Sequence, residues 1–344
     1  MKIVADSKIP YIKGILEQVA QEVAYVPGTE ITSDVVRDAD VLLTRTRTRC
    51  DRSLLEGSKV EFIGTATIGT DHIDLDYCHH HGITVVNAPG CNAPAVAQWV
   101  HATILQWMKD NHVSGNITLG IVGVGHVGSI VARWAQQLGY RILLNDPPLA
   151  EGARNEERGT RNGILSPLNS QLSPLTLLQQ ECDIITFHTP LTKDGKYPTW
   201  HLCDEAFLQD LKRCKLILNA ARGAVCDNEA LLRWHGDVAL DCWEHEPAIN
   251  RDLLDKAFVA TPHIAGYSRQ GKMRGTAMVI DALNRHYCWH LPVPEVDKPL
   301  RGAIDVSPKV IMDSYNPIHD TAALKAAPSQ FESLRNNYPL REEV

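Results

Sequence analysis

The sequence predicts an α/β protein of two doubly wound, parallel-sheet domains followed by a small C-terminal α+β segment, and three observations lead there. Short β-branched runs alternate with helical stretches through the first part of the chain, a second series of such runs begins near Thr118, and the texture changes around Pro292, Pro294 and Pro299. Strands alternating with helices imply a parallel sheet covered on both faces. Length agrees, because 344 residues with a hydrophobic fraction of 44% exceed one ordinary core and suit two compact domains with an appendage.

In order along the chain, Lys2–Ala5, Val41–Thr44, Glu61–Thr65 and Thr84–Val86 read as strands, and apolar periodicity predicts a helix over Tyr11–Val23. A long helical pattern from Ala93 to Asn111 leads into a fresh strand at Thr118–Val122. The strands expected after it are Arg141–Asn145, Asp183–His188, Lys215–Asn219, Val238–Leu240 and Val259–Ala260. A helix over Lys272–Tyr287 carries the chain out of the second domain. The organisation expected is a first domain of residues 1–92, completed by a returning helix over 270–287, a second of residues 93–269, and a C-terminal segment of residues 288–344. Leu149–Ser173, rich in Gly, Asn, Arg and Ser, reads as a surface loop.

Composition excludes several classes of partner. A net charge of −7 argues against a nucleic-acid binder, which needs excess Lys and Arg on one face. No run approaches the roughly 18 to 20 apolar residues that span a bilayer. The nine cysteines form no C-x-x-C pair, and the N-terminus lacks a charged region followed by an apolar one, so a reducing, cytoplasmic location is expected. His79-His80-His81 has no companion Cys or carboxylate at tetrahedral spacing, and no metal site is expected there.

After the strand ending at Val122 the chain reads Gly123-Val124-Gly125-His126-Val127-Gly128, then an amphipathic helix through Leu138 and a strand ending at Asn145-Asp146. Glycines permit a tight turn and close approach of backbone to a pyrophosphate, and the helix N-terminus faces the phosphate charge. A glycine-rich turn by itself is weak evidence, since it can also serve packing alone. The strand before, the helix after and an acid about 20 residues on supply the context that a dinucleotide site requires, and make the domains Rossmann/flavodoxin-like. Asp146 accepts hydrogen bonds from the adenosine ribose and repels a 2′-phosphate, while Pro147 and Pro148 offer no cation, so the cofactor expected is NAD.

Ligands of open α/β sheets lie beyond the carboxyl ends of the strands. Thr189-Pro190 follows one strand, Asn219-Ala220-Ala221-Arg222-Gly223 the next, Asp241 with Glu244 and Glu246 the next, and Thr261-Pro262-His263 the last. An Arg, an acid and a His in one crevice are the parts needed to oxidise an alcohol next to a carboxylate. Arg222 can grip the carboxylate, His263 can accept the hydroxyl proton, and Glu246 can hold the imidazole and raise its basicity. Any one of them alone reads as a rim charge or a satisfied histidine; it is the joint placement that points to chemistry.

These residues resemble the D-isomer specific 2-hydroxyacid dehydrogenase family, whose members pair an Arg, a Glu and a His in this chain order around NAD. The likeness rests on Val238–Pro247 and on Thr261-Pro262-His263-Ile264-Ala265-Gly266, and spans essentially the whole chain. Gly64–His72, Ala88–Ala93, Phe187–Gly195 and His263–Tyr267, with Gly271-Lys272 and Arg274-Gly275-Thr276, resemble the branch acting on 4-phospho-D-erythronate. The resemblance implies Arg222, Glu246 and His263 as catalytic, with His263 moving the proton. It implies Gly123, Gly125, His126, Val127, Gly128, Asp146, Thr189, Ala220, Ala221, Arg222, Asp241 and Gly266 around NAD, and Thr46, Thr67 and Tyr267 at the substrate, a phosphorylated 2-hydroxy acid. Residues 1–92 would be a substrate-binding lid, 93–269 the NAD-binding domain and 288–344 a dimerisation segment, giving a homodimer; Phe331-Glu332-Ser333-Leu334-Arg335-Asn336-Asn337-Tyr338 resembles that segment. Thr46 departs from the family's usual Ser, which keeps the hydroxyl and adds a methyl.

Two other readings stay open at this point. One is the same chemistry on another acid, such as 3-phosphoglycerate; the other is a non-enzymatic NAD-sensing protein like the C-terminal-binding-protein corepressors, since fold alone does not decide function. The run Thr44-Arg45-Thr46-Arg47-Thr48-Arg49 reads either as a solvated basic edge or as an anion site, and its three arginines are not all expected to enter one cleft.

Overall fold

The structure, a computed structural model, describes residues 1–152, 172–297 and 306–344. The chain forms two compact units, Met1–Asn92 with Ser268–Gly302, and Ala93–Tyr267 with Ala303–Val344. Most of the loop expected over Leu149–Ser173 lies outside the described residues.

Unit 1 holds strands β1 (Lys2–Asp6), β2 (Glu22–Val26), β3 (Val41–Thr44), β4 (Phe62–Thr65) and β5 (Thr84–Val86), all parallel, in the order β2-β1-β3-β4-β5. Successive residues of a strand point to opposite faces, and around the inner strands β1, β3 and β4 both faces are covered, so these read as nearly unbroken apolar runs. Ile3, Ala5, Val41, Leu43 and Phe62 face the helix Arg269–Tyr287 through its Val279, Ile280 and Leu283. Val4, Leu42 and Ile63 face the other way, onto Val36, Leu54 and Cys78.

The helix expected over Tyr11–Val23 does not form. Ile12 and Leu16 are buried as its periodicity requires, but Gly14 adopts φ +84° and interrupts the helical path, leaving a single 3-10 turn at Leu16–Gln18. The end of the expected helix belongs instead to β2, whose residues pair with β1 from Lys2↔Glu22 to Asp6↔Val26. β2 is the edge of the sheet, with Val23 and Tyr25 packed against one core cluster and Ala24 and Val26 against the other.

Unit 2 holds β6 (Thr118–Val122), β7 (Arg141–Asn145), β8 (Ile184–Phe187), β9 (Leu216–Asn219), β10 (Asp237–Leu240) and β11 (Val259–Ala260), parallel, in the order β11-β10-β9-β8-β6-β7. The helix Ala93–Asp110 is buried along almost its whole length, which suits its nearly all-round apolar surface. Trp99 Nε1 donates to Thr261 Oγ1 at 3.1 Å, tying that helix to the end of β11. Helices Pro308–Ser314, Pro317–Ala326 and Phe331–Asn336 of the C-terminal segment join the same unit: Ile311 and Tyr315 enter one core cluster, Leu324 and Phe331 the other. Strand β11 is the sheet's edge, and Ala260 N donates to Thr321 Oγ1 at 3.0 Å, so a tail hydroxyl closes what an edge leaves open.

Candidate active site

Strand β6 ends at Val122, and the glycine-rich turn begins at once. Gly123 adopts φ +90°, and a Cβ there would stand 2.8 Å from the His188 carbonyl. At Gly128 a Cβ would lie 2.0 Å from Gly123 O, so only glycine lets the helix His126–Gln137 come this close to the strand. Gly125 precedes that helix with no side chain to cap it. This is a cradle of backbone N–H groups for a phosphate, and the turn fits a dinucleotide. Asp146, at the end of β7, is buried; its Oδ2 accepts from Val124 N at 2.8 Å and its Oδ1 from Leu149 N at 3.0 Å. It therefore fixes the turn from behind.

The next two strand ends deliver Thr189 and the segment Ala220-Ala221-Arg222. Asn219, fully buried at the end of β9, shapes that segment: its Nδ2 donates to Arg222 O at 2.9 Å and its Oδ1 accepts from Ala221 N at 3.0 Å. The sequence places Asn219 at a strand end but gives no hint of this bracing role. Arg222 is half-buried and donates from Nη1 to Ala221 O at 2.9 Å.

Beyond β10 and β11 the acid and the histidine meet. His263 Nδ1 lies 2.8 Å from Glu246 Oε2, and Glu246 Oε1 accepts from Trp243 N at 2.9 Å. His263 adopts φ +57°, a left-handed conformation uncommon for a histidine, and the surroundings enforce it. Asp241 does most of the enforcing. Its Oδ1 accepts from Ile264 N at 2.7 Å and from Thr261 Oγ1 at 2.6 Å, while its carbonyl accepts from His263 N at 2.8 Å. Burial pushes the Asp241 carboxyl up, an effect that His263, the Thr261 hydroxyl and the Ala265 and Ile264 N–H groups partly offset. Arg341 clamps the far side of the loop, donating to Ile264 O at 3.1 Å, to Ala95 O at 3.0 Å, and to Ala265 O.

Burial also pushes the Glu246 carboxyl up, but the hydrogen bond and charge of His263, the Trp243 N–H and the charge of Arg335 outweigh it, and the carboxyl ends below its usual range. Arg335 is the residue that the sequence does not reveal. It arrives on the helix Phe331–Asn336, with Nη1 3.7 Å from Glu246 Oε2 and a hydrogen bond to Tyr267. No local pattern connects positions so far apart in sequence. Tyr267 itself packs edge-on against Tyr338, with centroids 6.2 Å apart.

Unit 2 therefore unites Arg222, Glu246, His263, Tyr267, Gly266 and the glycine-rich turn in one unit. Thr46 and Thr67 belong to unit 1, at the carboxyl ends of β3 and β4. Thr46 is exposed, and Thr67 Oγ1 is 2.7 Å from Thr65 Oγ1. The arginines beside Thr46 share one parity, which a continuing strand would line up on one face, but β3 ends at Thr44 and beyond it they diverge. Arg45 reaches Lys8 O at 3.3 Å, whereas Arg47 and Arg49 line a hollow of about 310 Å³ with Thr29, Thr32, Ser33 and Ser53. The rings of His80 and His81 lie 2.6 and 2.8 Å from the helix carbonyls of Asp76 and Tyr77.

Residues 92–265 match the family model of the D-isomer specific 2-hydroxyacid dehydrogenase, NAD binding domain. The erythronate-4-phosphate dehydrogenase of Bacteroides thetaiotaomicron is 46% identical over 100% of this chain and 97% of its own length. That of Porphyromonas gingivalis is 38% identical, over 100% of this chain and 94% of its own. Among solved structures, the NAD⁺-bound 3-phosphoglycerate dehydrogenase of Entamoeba histolytica superposes with a TM-score of 0.67 at 25% identity, covering 87% of this chain and 99% of that one. The D-lactate dehydrogenase of Aquifex aeolicus, complexed with NAD and lactic acid, gives a TM-score of 0.65 at 23% identity over 83% of this chain and 95% of that one. Matched across its whole length by such relatives, and holding an Arg, a Glu–His pair and a glycine-rich turn at its strand ends, the chain belongs to the D-isomer specific 2-hydroxyacid dehydrogenase family.

Proposed function

We propose that this chain oxidises 4-phospho-D-erythronate at C2 to 2-oxo-3-hydroxy-4-phosphobutanoate, as a step of pyridoxal 5′-phosphate (vitamin B6) biosynthesis. The observation that supports it most is the Glu246–His263 hydrogen bond of 2.8 Å, in a chain 46% identical to a relative of that name. NAD, held by the Gly123–Gly128 turn with Asp146, Thr189, Ala220, Ala221, Asp241 and Gly266, supplies the hydride acceptor. His263 Nε2 takes the hydroxyl proton as the C2–H bond breaks with its electron pair and the carbonyl forms. Glu246, bonded to Nδ1, fixes the tautomer that leaves Nε2 as the acceptor and stabilises the imidazolium that results. Arg222 binds the substrate carboxylate through its planar fork and polarises the forming carbonyl. Thr46, Thr67 and Tyr267 contact the rest of the acid. A cytoplasmic homodimer, built through residues 288–344, completes the proposal, and light scattering on the full chain checks its mass.

A substrate panel read by NADH absorbance and product mass tests the reading. Turnover should be fastest with 4-phosphoerythronate and slower with erythronate and 3-phosphoglycerate. Equal rates on the phosphorylated and unphosphorylated four-carbon acids sink the phosphate assignment, and inactivity on every acid favours a sensing role.

A further inference from the structure

The segment His263–Tyr267 begins with a histidine held at φ +57°. That conformation is uncommon for a residue with a Cβ, and it persists only where the neighbouring peptides are fixed. Asp241 fixes them from one side. Its side chain accepts from Ile264 N at 2.7 Å and from Ala265 N, and its carbonyl accepts from His263 N at 2.8 Å. These bonds secure the N–H groups of three successive residues and leave the carbonyls of the same stretch to another partner.

That partner is Arg341. Its Nη1 donates to Ile264 O at 3.1 Å and its Nη2 to Ala265 O. The peptide joining Ile264 to Ala265 is therefore gripped at both ends, the N–H by Asp241 and the carbonyl by Arg341, and turning it breaks both grips. The other donors of Arg341 reach Gln98 Oε1 at 3.2 Å, Ala95 O at 3.0 Å and the Tyr338 hydroxyl at 3.5 Å. A guanidinium has five N–H groups, and here every one has an acceptor. Two of those acceptors lie on the helix Ala93–Asp110, so Arg341 ties the loop to the longest helix of unit 2. Its guanidinium carbon stands 4.4 Å from the centre of the Tyr315 ring. The balancing carboxylate is one hydroxyl away, since Asp320 accepts from Tyr338 at 3.1 Å and from Tyr315 at 2.8 Å.

Arg341 is 9% exposed. A buried charge of this kind adds little stability over a well-packed apolar side chain, so stability alone is a poor reason for it. What its planar fork supplies is fixed geometry. Packing does not supply it here, because Pro262 and the tail residues Asp320, Ala323, Leu334 and Tyr338 leave a hollow of about 270 Å³ beside the loop. We propose that Arg341 is a positioning residue: by holding the Ile264 and Ala265 carbonyls it fixes the backbone that aims the His263 imidazole, and it makes the chemical step depend on the C-terminal tail of the same chain. The proposal rests on His263 being the proton acceptor, not on which acid it serves. No hydrogen bond of Arg341 reaches the glycine-rich turn or Arg222, so cofactor and carboxylate binding should survive its loss.

The test uses the full-length chain and the acid that the wild type oxidises fastest. Arg341→Gln cannot span both carbonyls and the helix, and should slow NADH formation in a single turnover by about 10 to 10²-fold, the cost of a displacement near 1 Å at a reacting group. NADH affinity and KM for the acid should stay within about 3-fold of wild type. Hydrogen exchange read by mass spectrometry should quicken in the peptide spanning residues 261–267 and stay unchanged in β6. An arginine that serves stability alone lowers the thermal midpoint and the folded fraction, and leaves the single-turnover rate of the folded enzyme untouched. A folded Arg341→Gln with the wild-type single-turnover rate therefore overturns the proposal, as does a loss of NADH affinity as large as the loss of rate. If Arg341→Gln does not fold, Arg341→Lys decides. It keeps the charge without the fork, so a loss of roughly 3 to 10-fold in the same step is expected, and a rate within about 2-fold of wild type overturns the proposal. A near-normal rate in His263→Ala defeats the assignment of the base itself, whereas a wild-type rate in Arg341→Gln beside an inactive His263→Ala defeats this proposal alone.

Discussion

Residues 1–92 and residues 93–267 build sheets with one winding scheme, β2-β1-β3-β4-β5 in the first and β7-β6-β8-β9-β10-β11 in the second, and they put it to different use. In each, the order reverses beside the opening strand, between β1 and β3 or between β6 and β8, which is where an open α/β sheet leaves a crevice. After β6 the crevice meets a turn with no room for a Cβ at Gly123 or Gly128. After β1 it meets Asp6-Ser7-Lys8, without a glycine, where the Asp6 carboxylate accepts from Lys8 N at 2.9 Å and so engages a backbone donor of that turn. The later strand ends diverge too: unit 2 offers Arg222, Glu246 and His263, unit 1 offers Thr46, Thr67 and arginines. The shared winding supplies a site, and the residues at the strand ends decide whether it moves protons or only binds.

The sharpest break of that contrast is to remove the proton acceptor. His263→Ala should lower kcat by about 10² to 10⁴-fold, the range for a positioned acid–base group, with NAD affinity nearly unchanged. Steady-state kinetics with fluorescence titration of NADH separate the two quantities. A near-normal kcat removes His263 from the mechanism and with it the reason for assigning chemistry to unit 2.

Acid should also treat the units differently. His101, in the helix Ala93–Asp110, is fully buried with Nε2 3.0 Å from Val131 O, and burial holds its pKa down to about 4. Below pH 6.5 the unfolded chain takes up a proton that the folded one refuses, so the stabilisation present at neutral pH is lost as pH falls from 6.5 towards 4. The full loss amounts to about 3 kcal/mol. Hydrogen exchange at pH 7 and pH 5 should show protection along Ala93–Asp110 falling more than protection of β1 and β3, and His101→Gln should flatten that dependence. Equal acid sensitivity of the two sheets speaks against it.

Legibility in the sequence followed the range of the interactions. Apart from β2, the strands of both sheets were readable because each is a short apolar run between the coverings of a parallel sheet, and the glycine-rich turn was readable because strand, turn and helix lie within one stretch. The Tyr11–Val23 helix misled because Ile12 and Leu16 are core residues at helical spacing, while Gly14 and the pairing of Glu22–Val26 with β1 settle the backbone. Asn219 and Asp241 were visible as residues after strands, but their bracing of Arg222 and of the His263 loop depends on turn geometry. Arg335 was hidden altogether, since only the folded tail brings it to Glu246.

In unit 1 the comparison predicts binding effects without chemistry. Arg45 and Arg47 flank exposed Thr46 and point to different surroundings, Arg45 to Lys8 O and Arg47 to the hydroxyl-lined hollow. A charge-assisted contact is worth about 1.5 to 3 kcal/mol, so Arg45→Ala or Arg47→Ala should lower kcat/KM for 4-phosphoerythronate by roughly 10 to 150-fold and leave unphosphorylated erythronate nearly untouched. The divergence of the two side chains means that one substitution should carry most of the loss. Equal losses on both acids assign these arginines to structure, and no loss in either directs the search to Tyr267, Arg269 and Lys272.

The smallest expected effect concerns cofactor choice and turns on Asp146. Both of its carboxylate oxygens hold backbone N–H groups, Val124 N at 2.8 Å and Leu149 N at 3.0 Å, so Asp146→Ala would loosen the glycine-rich turn as well as uncover the ribose site. Asp146→Asn is the cleaner change, because the amide keeps one acceptor oxygen for the backbone while the charge that repels a 2′-phosphate disappears. Its thermal midpoint should fall modestly, as one backbone donor loses its partner. The ratio of kcat/KM with NAD to that with NADP should narrow by about 10-fold, corresponding to one hydrogen bond and a partly screened charge. Measuring both cofactors at fixed ionic strength matters, since salt weakens the repulsive part alone. A wild-type preference for NADP, or an unchanged ratio in a folded Asp146→Asn, would mean that the Asp146 carboxylate serves only the turn and that the ribose is read elsewhere.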